Sequence, residues 1–275
     1  PSFKEMSFAE IYDPITGRTF IGGMFNDEDP VNEITYWDGN LESSDIYNAD
    51  IRWEFFMDKG QMISFSGFYK KFFNPIEMVQ YATQTGAFQP RNVGDGTVFG
   101  GETEIRLNMD NLVASLENLR LLFNFTITQS QIKMSETEYN DRVENAREGE
   151  EIDEYRDMAG QAPYLVNAGV QYTGAEKGFA KGLEAGLYYN VQGETLYYVG
   201  IVDRPDIYTK PFHSLNFNAG MDFGKDDRFN AGLKMKNILN DKEESVFKSY
   251  KAEDKPFEYL YKGTTFSLSL KYNLF

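Results

Sequence analysis

Few side chains in this sequence could carry out covalent chemistry, and the first of them is the single histidine, His213. Its neighbour Ser214 bears a hydroxyl that an imidazole could activate as a nucleophile. A catalytic triad also needs an orienting acid and an oxyanion hole, and adjacent residues of a strand point to opposite faces. We therefore interpret His213 as a strand-end histidine and predict that the chain is not an enzyme and has no cofactor.

Two glutamates, Glu102 and Glu104, are spaced so that both would lie on one face of a strand. Paired carboxylates can act as a general acid and base. The sequence also offers Arg52, Arg106 and Arg120 on strands that we expect to be nearby. Ion pairing with these arginines is the interpretation that we favour for both glutamates.

The segment 135–158 is strongly acidic and could supply oxygen ligands to calcium. Its spacing does not follow an EF-hand loop, so we predict no metal site. We expect a solvated acidic loop that is helical around residues 138–147. The acidic residues of this segment are Glu136, Glu138, Asp141, Glu144, Glu148, Glu150, Glu151, Asp153, Glu154 and Asp157.

An alternation of apolar and polar side chains with a period of two recurs nine times and is the strongest structural signal in the sequence. In the first run Ile51 and Trp53 share one face, while Arg52 and Glu54 occupy the other. Successive side chains of a strand point to opposite faces, so each run predicts an amphipathic strand. The apolar faces begin and end at Tyr47 and Phe55, Ile63 and Tyr69, Phe99 and Ile105, Leu119 and Ile127, Tyr164 and Tyr172, Leu183 and Val191, Leu215 and Phe223, Phe229 and Met235, and Phe266 and Leu274.

Both a soluble β-sandwich and a membrane β-barrel have strands of this kind. The runs are about 9 to 12 residues long, which suits a tilted membrane strand better than the roughly 5 or 6 residues of an average soluble strand. Aromatic residues stand toward both ends of several apolar faces, as at Tyr164 and Tyr172, where the interfacial girdles of a barrel lie. We therefore predict an all-β fold: the antiparallel transmembrane wall of a β-barrel, with about 9 to 10 strands.

Short and long links alternate between the runs. Bacterial barrels have short periplasmic turns and long extracellular loops. The alternation predicts that residues 1–45 form an extracellular segment and that residues 46–275 contain nine membrane strands. The short links are 57–61, 108–118, 173–181 and 224–227, and the long links are 74–95, 131–161, 192–210 and 240–263.

Composition excludes several classes of protein. No run approaches the roughly 20 apolar residues of a transmembrane helix, so any membrane span must consist of strands. The net charge of −16 argues against nucleic-acid binding, which requires a basic surface. The absence of cysteine excludes disulfides and thiolate metal sites. The sequence starts at Pro1 without an export signal, so we expect it to be a piece of a longer protein.

Several segments resemble the β-barrel region of TonB-dependent receptors, especially the group common in Bacteroidetes-like bacteria. The most specific match is a barrel hairpin, YNADIRWE at 47–54 followed by GQMISFSGFYKKFFNPIE at 60–77. NVGDGTVFGGETE at 92–104 resembles the next strand of the family, and APYLVN at 162–167 and KNILN at 236–240 are similar to later signatures. The resemblance covers residues 1–275 and identifies the chain as the C-terminal part of a barrel of about 22 strands.

This resemblance implies an outer-membrane receptor of a Gram-negative bacterium that takes up a scarce nutrient such as a siderophore, cobalamin or a glycan. The family's plug domain and energy-coupling box are not found in the sequence. The implied partners are outer-membrane lipid, the missing N-terminal strands and plug domain, the TonB complex acting through the plug, the barrel assembly machinery, and a small-molecule ligand. Nine strands, with a weak tenth around Arg18–Ile21, leave either an open sheet or a barrel too narrow for a plug. We expect a single open sheet whose edges are the strands at 47–55 and 265–275.

The last strand resembles the signal by which the assembly machinery recognises barrel proteins. The residues that form the signal are Phe266, Leu268, Leu270, Tyr272 and Phe275. In the usual pattern the terminal aromatic residue keeps the phase of the apolar face. Leu274 holds that phase here and Phe275 stands one residue beyond it.

Three tyrosines are candidate ligand-binding residues of the extracellular loops: Tyr188, Tyr197 and Tyr198. Tyrosine rings can stack on a sugar or on an aromatic ligand. The same residues equally suit an interfacial girdle.

Lys234, Lys236 and Lys271 fall on the polar faces of the last strands, where they could meet an anionic ligand or neutralise the neighbouring plug. The alternative function is an autonomous small barrel of ten strands that acts as an outer-membrane hydrolase or adhesin. Such an enzyme would need clustered catalytic groups at the rim of neighbouring strands, and the single histidine has no convincing partner.

Overall fold

The computed structural model describes residues 1–111, 113–146, 148–174, 178, 180–248 and 252–273. Strands dominate this part of the chain, with one α-helix, α1 (Glu136–Asn145). The strands are β1 (Glu10–Asp13), β2 (Arg18–Ile21), β3 (Asp27–Asp29), β4 (Ile34–Trp37), β5 (Asp45–Met57), β6 (Gln61–Phe73), β7 (Ile76–Gln80), β8 (Ala87–Asn92), β9 (Gly96–Asn108), β10 (Leu119–Lys133), β11 (Tyr155–Arg156), β12 (Tyr164–Thr173), β13 (Leu183–Gln192), β14 (Thr195–Tyr198), β15 (Ile207–Thr209), β16 (His213–Phe223), β17 (Phe229–Lys236), β18 (Glu243–Phe247), β19 (Lys255–Leu260) and β20 (Thr265–Tyr272).

The nine alternating runs all form long strands of one antiparallel sheet, in the order β20-β17-β16-β13-β12-β10-β9-β6-β5. Residues directly opposite each other in adjacent strands lie on the same face of a sheet. Phe217 of β16 lies opposite Leu187 of β13 and Met235 of β17, and comparable apolar pairs continue on both sides. The apolar sides of all nine strands therefore form one continuous face, and the polar sides form the other.

The sheet ends at β5 and β20, and no ladder joins these two strands in the part of the chain that the structure describes. The prediction of an open wall with these two edges is thereby confirmed. Each edge strand carries a row of backbone groups that a neighbouring strand would have to satisfy within a bilayer.

Tight turns connect the long strands at one end of the sheet. The link between β5 and β6 is a 3₁₀ turn, Asp58–Gly60, in which Lys59 and Gly60 adopt φ of 57° and 69°. Gly224 at φ 87° opens the corresponding turn between β16 and β17. Glycine tolerates positive φ without steric cost, so it suits these reversals.

The long loops at the other end fold into small sheets of their own, which corrects the expectation of a single sheet. One has the order β1-β2-β8-β7, a second the order β14-β15-β18-β19, and β3 pairs with β4. The predicted strand Arg18–Ile21 exists as β2, but it was wrongly expected to extend the membrane wall, because it pairs with β1 and, in parallel, with β8.

We call the described residues 1–44, 74–95, 134–146, 148–163, 193–212, 237–248 and 252–264 the loop layer. Apolar clusters hold it together: one contains Phe88, Tyr198 and Ile207, and another contains Val79 and Leu196. Phe88 and Ile207 are almost fully buried, and burying a side chain of this size contributes roughly 1.5 to 3 kcal/mol. The loops are therefore a folded layer.

A third cluster joins the loop layer to the sheet. Val98 of β9 and Ile132 of β10 are buried against Met158 of the loop layer, and Phe68 and Phe72 of β6 pack beside them. These positions of β6, β9 and β10 lie on the polar face of the sheet, at its long-loop end. The loop layer therefore folds over that end of the polar face.

Helix α1 begins after Ser135, whose Oγ accepts a hydrogen bond of 3.1 Å from the Glu138 amide. This N-cap satisfies one of the free amides of the first turn. The helix predicted around 138–147 is confirmed, with a start two residues earlier; Arg147 lies outside the described residues. Among the described helices, none is long and apolar enough to cross a membrane.

Candidate ligand-binding and transport surfaces

The glutamates on the polar face are bound to neighbouring side chains. Glu104 accepts from Arg52 Nη2 at 3.1 Å and from Arg106 Nε at 2.9 Å. Glu102 accepts from the amide of Asn124 at 2.6 Å. The predicted ion pairing is confirmed for Glu104, while Arg120 instead donates to the carbonyl of Gly60. Both glutamates therefore have side-chain partners on the polar face.

Three asparagines continue this polar network across adjacent strands. Asn167 Nδ2 donates to Asn124 Oδ1 at 3.3 Å, and Asn190 Nδ2 donates to Asn167 Oδ1 at 2.5 Å. All three stand in register on β10, β12 and β13. Their amides give the middle of the sheet a polar surface that suits water or a protein partner better than lipid.

Tyr188 lies within strand β13, on the polar face of the sheet. A Cβ added at Gly186 would come within 2.4 Å of its hydroxyl, and one at Gly169 within 2.8 Å of its ring, so the ring covers both glycines. Gln171 Nε2 donates to the hydroxyl at 2.8 Å. The structure thus places Tyr188 flat on the sheet, apart from the other two candidate tyrosines. In the sequence, the glycine at 186 followed two residues later by a tyrosine could have indicated that the ring covers the glycine.

The lysines predicted on the polar face occupy its β17 and β20 edge. Lys234 and Lys271 line an open cleft of about 480 Å³ together with Glu184, Asn218 and Asn230. Lys236 stands on the same face, opposite Thr265. Within the described part of the chain, no ion pair forms at these lysines. Their role toward a ligand or a plug stays a prediction.

Tyr197 and Tyr198 lie together in β14, in the loop layer. Tyr198 is 4% exposed, and its ring centroid is 4.2 Å from that of Phe88 and 4.0 Å from that of Tyr197. Burial, then hydrogen bonding and charge interaction with Tyr197, raise the pKa of Tyr198 above its ordinary value. Tyr197 is 40% exposed and faces two cavities that Tyr198 also lines.

Buried ion pairs fix helix α1 to the loop layer. Arg142 on the helix binds both carboxylate oxygens of Asp206, at 2.6 and 2.9 Å. Burial alone would raise the pKa of Asp206, but Arg142 and the amide of Gly200 outweigh it and hold the pKa below its ordinary value. The two members of this pair are far apart in the sequence, so the sequence analysis did not predict it.

A second buried arginine, Arg156, joins helix α1 to a further segment of the loop layer, 74–95. Arg156 contacts Glu77 at 2.8 Å and Glu138 at 2.6 Å. Burial raises the pKa of Glu77, and Arg156 offsets part of that effect. Within the described residues there is no group of three or more histidines and carboxylates arranged to hold a metal ion.

His213 and Ser214 make separate contacts. The His213 ring nitrogen Nδ1 is 2.6 Å from the hydroxyl of Tyr189, and its backbone amide donates to Asp241. Ser214 Oγ accepts from Asn216 at 2.8 Å. His213 is the first residue of β16, as the interpretation of a strand-end histidine requires.

Four residues of the predicted assembly signal lie on the apolar face of the edge strand β20. Leu268 and Leu270 are 85% and 70% exposed, and Phe266 and Tyr272 are exposed as well. Leu274 and Phe275 lie outside the described residues. Recognition by an assembly machinery stays a prediction.

Comparisons with known proteins agree with this architecture. The family model described as TonB dependent receptor-like, beta-barrel matches residues 2–238. Among curated protein sequences, none matches the chain.

Solved structures of similar fold include the ferric citrate transporter FecA (TM-score 0.53, 15% identity, 83% of this chain and 31% of that one). The ferric enterobactin receptor PfeA of Pseudomonas aeruginosa has a TM-score of 0.52 at 15% identity, over 92% of this chain and 33% of that one. The iron transporter FrpB of Neisseria meningitidis has a TM-score of 0.51 at 12% identity, over 84% and 31%. The chain spans about a third of the length of these structures. With the family model matching most of its length, the chain belongs to the β-barrel family of TonB-dependent receptors.

Proposed function

We propose that this chain forms part of the barrel wall of an outer-membrane receptor that takes up a scarce nutrient with energy from the TonB complex. The observation that carries the proposal is the apolar face, which continues in register across all nine long strands. A soluble protein rarely leaves so large an apolar surface open to water, whereas a membrane barrel turns it toward lipid. Proteins of this family transport and do not catalyse.

In this proposal the loop layer lies outside the cell and the tight turns face the periplasm. The polar face lines the lumen and contacts a plug domain, through which the TonB complex acts. Further strands of the parent protein pair with β5 and β20. The barrel assembly machinery inserts the complete barrel into the outer membrane. The open sheet disfavours the alternative of an autonomous small barrel acting as a hydrolase or adhesin.

The ligand is a scarce small molecule that binds first at the loop layer. The similar structures are a ferric citrate transporter, an iron transporter and a ferric enterobactin receptor, which makes an iron chelate one candidate. Cobalamin and glycans are the others.

The proposal is tested on the full-length parent protein in its own bacterium. Intact cells are treated with protease, and cleavage is expected within the acidic segment 148–154, which faces outward in this proposal. The protein should fractionate with the outer membrane. Growth on the limiting nutrient should require the protein and should stop when the proton-motive force is collapsed.

Recovery of the protein in a soluble fraction would contradict the membrane assignment. Growth that needs the protein but survives collapse of the proton-motive force would contradict energised transport.

A further inference from the structure

An aromatic cleft, which we define by Phe20, Tyr197 and Tyr198, lies in the loop layer. Two cavities, of about 300 and about 400 Å³, share these three residues in their walls. Sites for small molecules are concave, with apolar and aromatic walls and a few fixed polar groups. The cleft has this composition.

The wall beneath Tyr197 is closely packed. The Tyr198 ring packs between Phe88 and Tyr197, with centroid distances of 4.2 and 4.0 Å. Phe257 meets both Phe88 and Tyr198 edge to face, at 6.2 and 6.1 Å. Tyr197 is therefore an exposed ring on a packed support, which costs little conformational entropy when a ligand stacks on it.

The charged groups of the larger cavity already have partners. Arg18 is 93% buried, donates to Glu258 at 2.7 Å, and lies 4.4 Å from the Phe257 ring centroid. Glu243 is paired with Lys262. Asp13 accepts from the Ile15 amide at 2.9 Å and from the Thr16 hydroxyl at 2.7 Å.

This charge distribution disfavours an anionic ligand. Three carboxylates line the larger cavity, from Asp13, Glu243 and Glu258, against the single guanidinium of Arg18. The chain as a whole carries a net charge of −16, which repels anions at long range. In this larger cavity an anionic chelate would lose hydration without meeting an uncommitted cation. Lys4 lines the smaller cavity, where its ammonium lies 5.7 Å from the Phe20 ring centroid.

The same lining suits a neutral ligand rich in hydroxyl groups. Ionised carboxylates accept strong hydrogen bonds from hydroxyls, and Thr16, Thr209 and Ser245 add hydroxyls of their own to the wall. The exposed ring of Tyr197 offers a flat apolar surface to the C–H face of a sugar.

We propose that the aromatic cleft binds one sugar ring of a neutral oligosaccharide, which stacks on Tyr197 while its hydroxyls donate to the carboxylates of Asp13, Glu243 and Glu258. This inference rests on the proposed uptake function, since it places the first contact of the imported ligand in the loop layer.

The test uses the full-length receptor, purified in detergent, on an array of neutral plant, fungal and bacterial oligosaccharides, with ferric citrate as the anionic probe. We expect at least one neutral oligosaccharide to bind and ferric citrate not to bind. Tyr197→Ala should weaken binding of that oligosaccharide by about tenfold or more, and Tyr197→Phe should retain it. Tyr155→Ala, which removes a similarly exposed tyrosine outside the cleft, is the matched control and should bind like the unmodified receptor.

Absence of binding to every neutral oligosaccharide of the array would overturn the inference, as would binding that Tyr197→Ala leaves intact. Binding of ferric citrate that is lost in Tyr197→Ala would overturn it in favour of an anionic chelate. Outer-membrane fractionation of each variant separates these results from failure of the proposed function. A receptor that inserts and imports but binds no neutral sugar contradicts the cleft assignment alone.

Discussion

The ring of Tyr188 replaces the missing side chains of two glycines on the polar face. At the residue scale we expect Gly186→Ala to destabilise the barrel by about 1 to 3 kcal/mol, because the new methyl group would displace that ring. In a Tyr188→Ala background the same change should cost much less. Urea unfolding of the full-length receptor in liposomes measures both.

Gly220 provides the matched control for the Gly186→Ala and Tyr188→Ala substitutions. It lies on the same face in β16, and the nearest atom to a Cβ added there is 3.9 Å away. Gly220→Ala should therefore leave stability nearly unchanged. Additive effects of Gly186→Ala and Tyr188→Ala would show that the ring does not rest on Gly186.

The Arg142–Asp206 pair makes the stability of the loop layer depend on pH. Because the folded-state pKa of Asp206 is lowered, its stabilising contribution is present above the ordinary carboxyl pKa and is lost as pH falls through the lower value. Glu77 has the opposite effect on stability as pH falls. Because its pKa is raised in the folded state, ionised Glu77 opposes folding, and protonation at lower pH relieves that cost.

We therefore expect protection of the amides of α1 to decline below about pH 4, after correction for intrinsic exchange rates. Hydrogen exchange followed by mass spectrometry measures this. Asp206→Asn should weaken protection already at pH 7, by roughly 1 to 3 kcal/mol, because it removes the two-point charged partner of Arg142, while the contact of that arginine with Glu138, at 3.1 Å, remains. Full protection of α1 at pH 7 in Asp206→Asn would contradict the role of this pair.

Individual contacts were predictable from sequence only where strand periodicity places them. Glu104 and its arginines follow from the alternation, because their strands and faces can be assigned. Arg142 lies on helix α1 and Asp206 in a loop 64 residues away, so no local pattern pairs them. The position of the Tyr188 ring depends on glycines of two adjacent strands. Predicting it would have required the register between those strands.

At the scale of elements, a period of two identified all nine long strands. Apart from β2, the short strands of the loop layer were missed, because tertiary pairing and not local pattern sets them. The strand β2 was expected, but its parallel pairing with β8, across more than sixty intervening positions, was not. The helix α1 was expected within the acidic segment, whereas its N-cap Ser135 was not. The ion pairs that attach the helix to the rest of the loop layer were not expected either.

The two faces of β16 should respond differently to charge. Phe217→Arg places a cation on the apolar face and should cost about 2 to 4 kcal/mol if the residue lies near the bilayer midplane, whereas Asn218→Arg on the polar face should cost little. Reversible unfolding in liposomes compares the two variants. Equal costs would refute the assignment of the faces.

At the scale of the whole molecule, the open edges determine what the chain can do alone. Unpaired amides and carbonyls within a bilayer cost several kcal/mol each. We expect residues 1–275 expressed alone to fail to form the folded, heat-modifiable species on gel electrophoresis that the full-length receptor shows. Efficient insertion of this segment alone as a folded monomer would mean that β5 and β20 can satisfy each other.

The central claim is that one face of the nine-stranded sheet meets lipid and the other meets water. Spin labels at single cysteines in positions 215–219 of β16, in a cysteine-free full-length receptor in outer-membrane lipid, test it most directly. We predict that labels at Leu215, Phe217 and Ala219 are accessible to oxygen dissolved in the bilayer, while labels at Asn216 and Asn218 are accessible to a water-soluble nickel chelate. Uniform accessibility to the chelate along the strand, without alternation, would contradict the account.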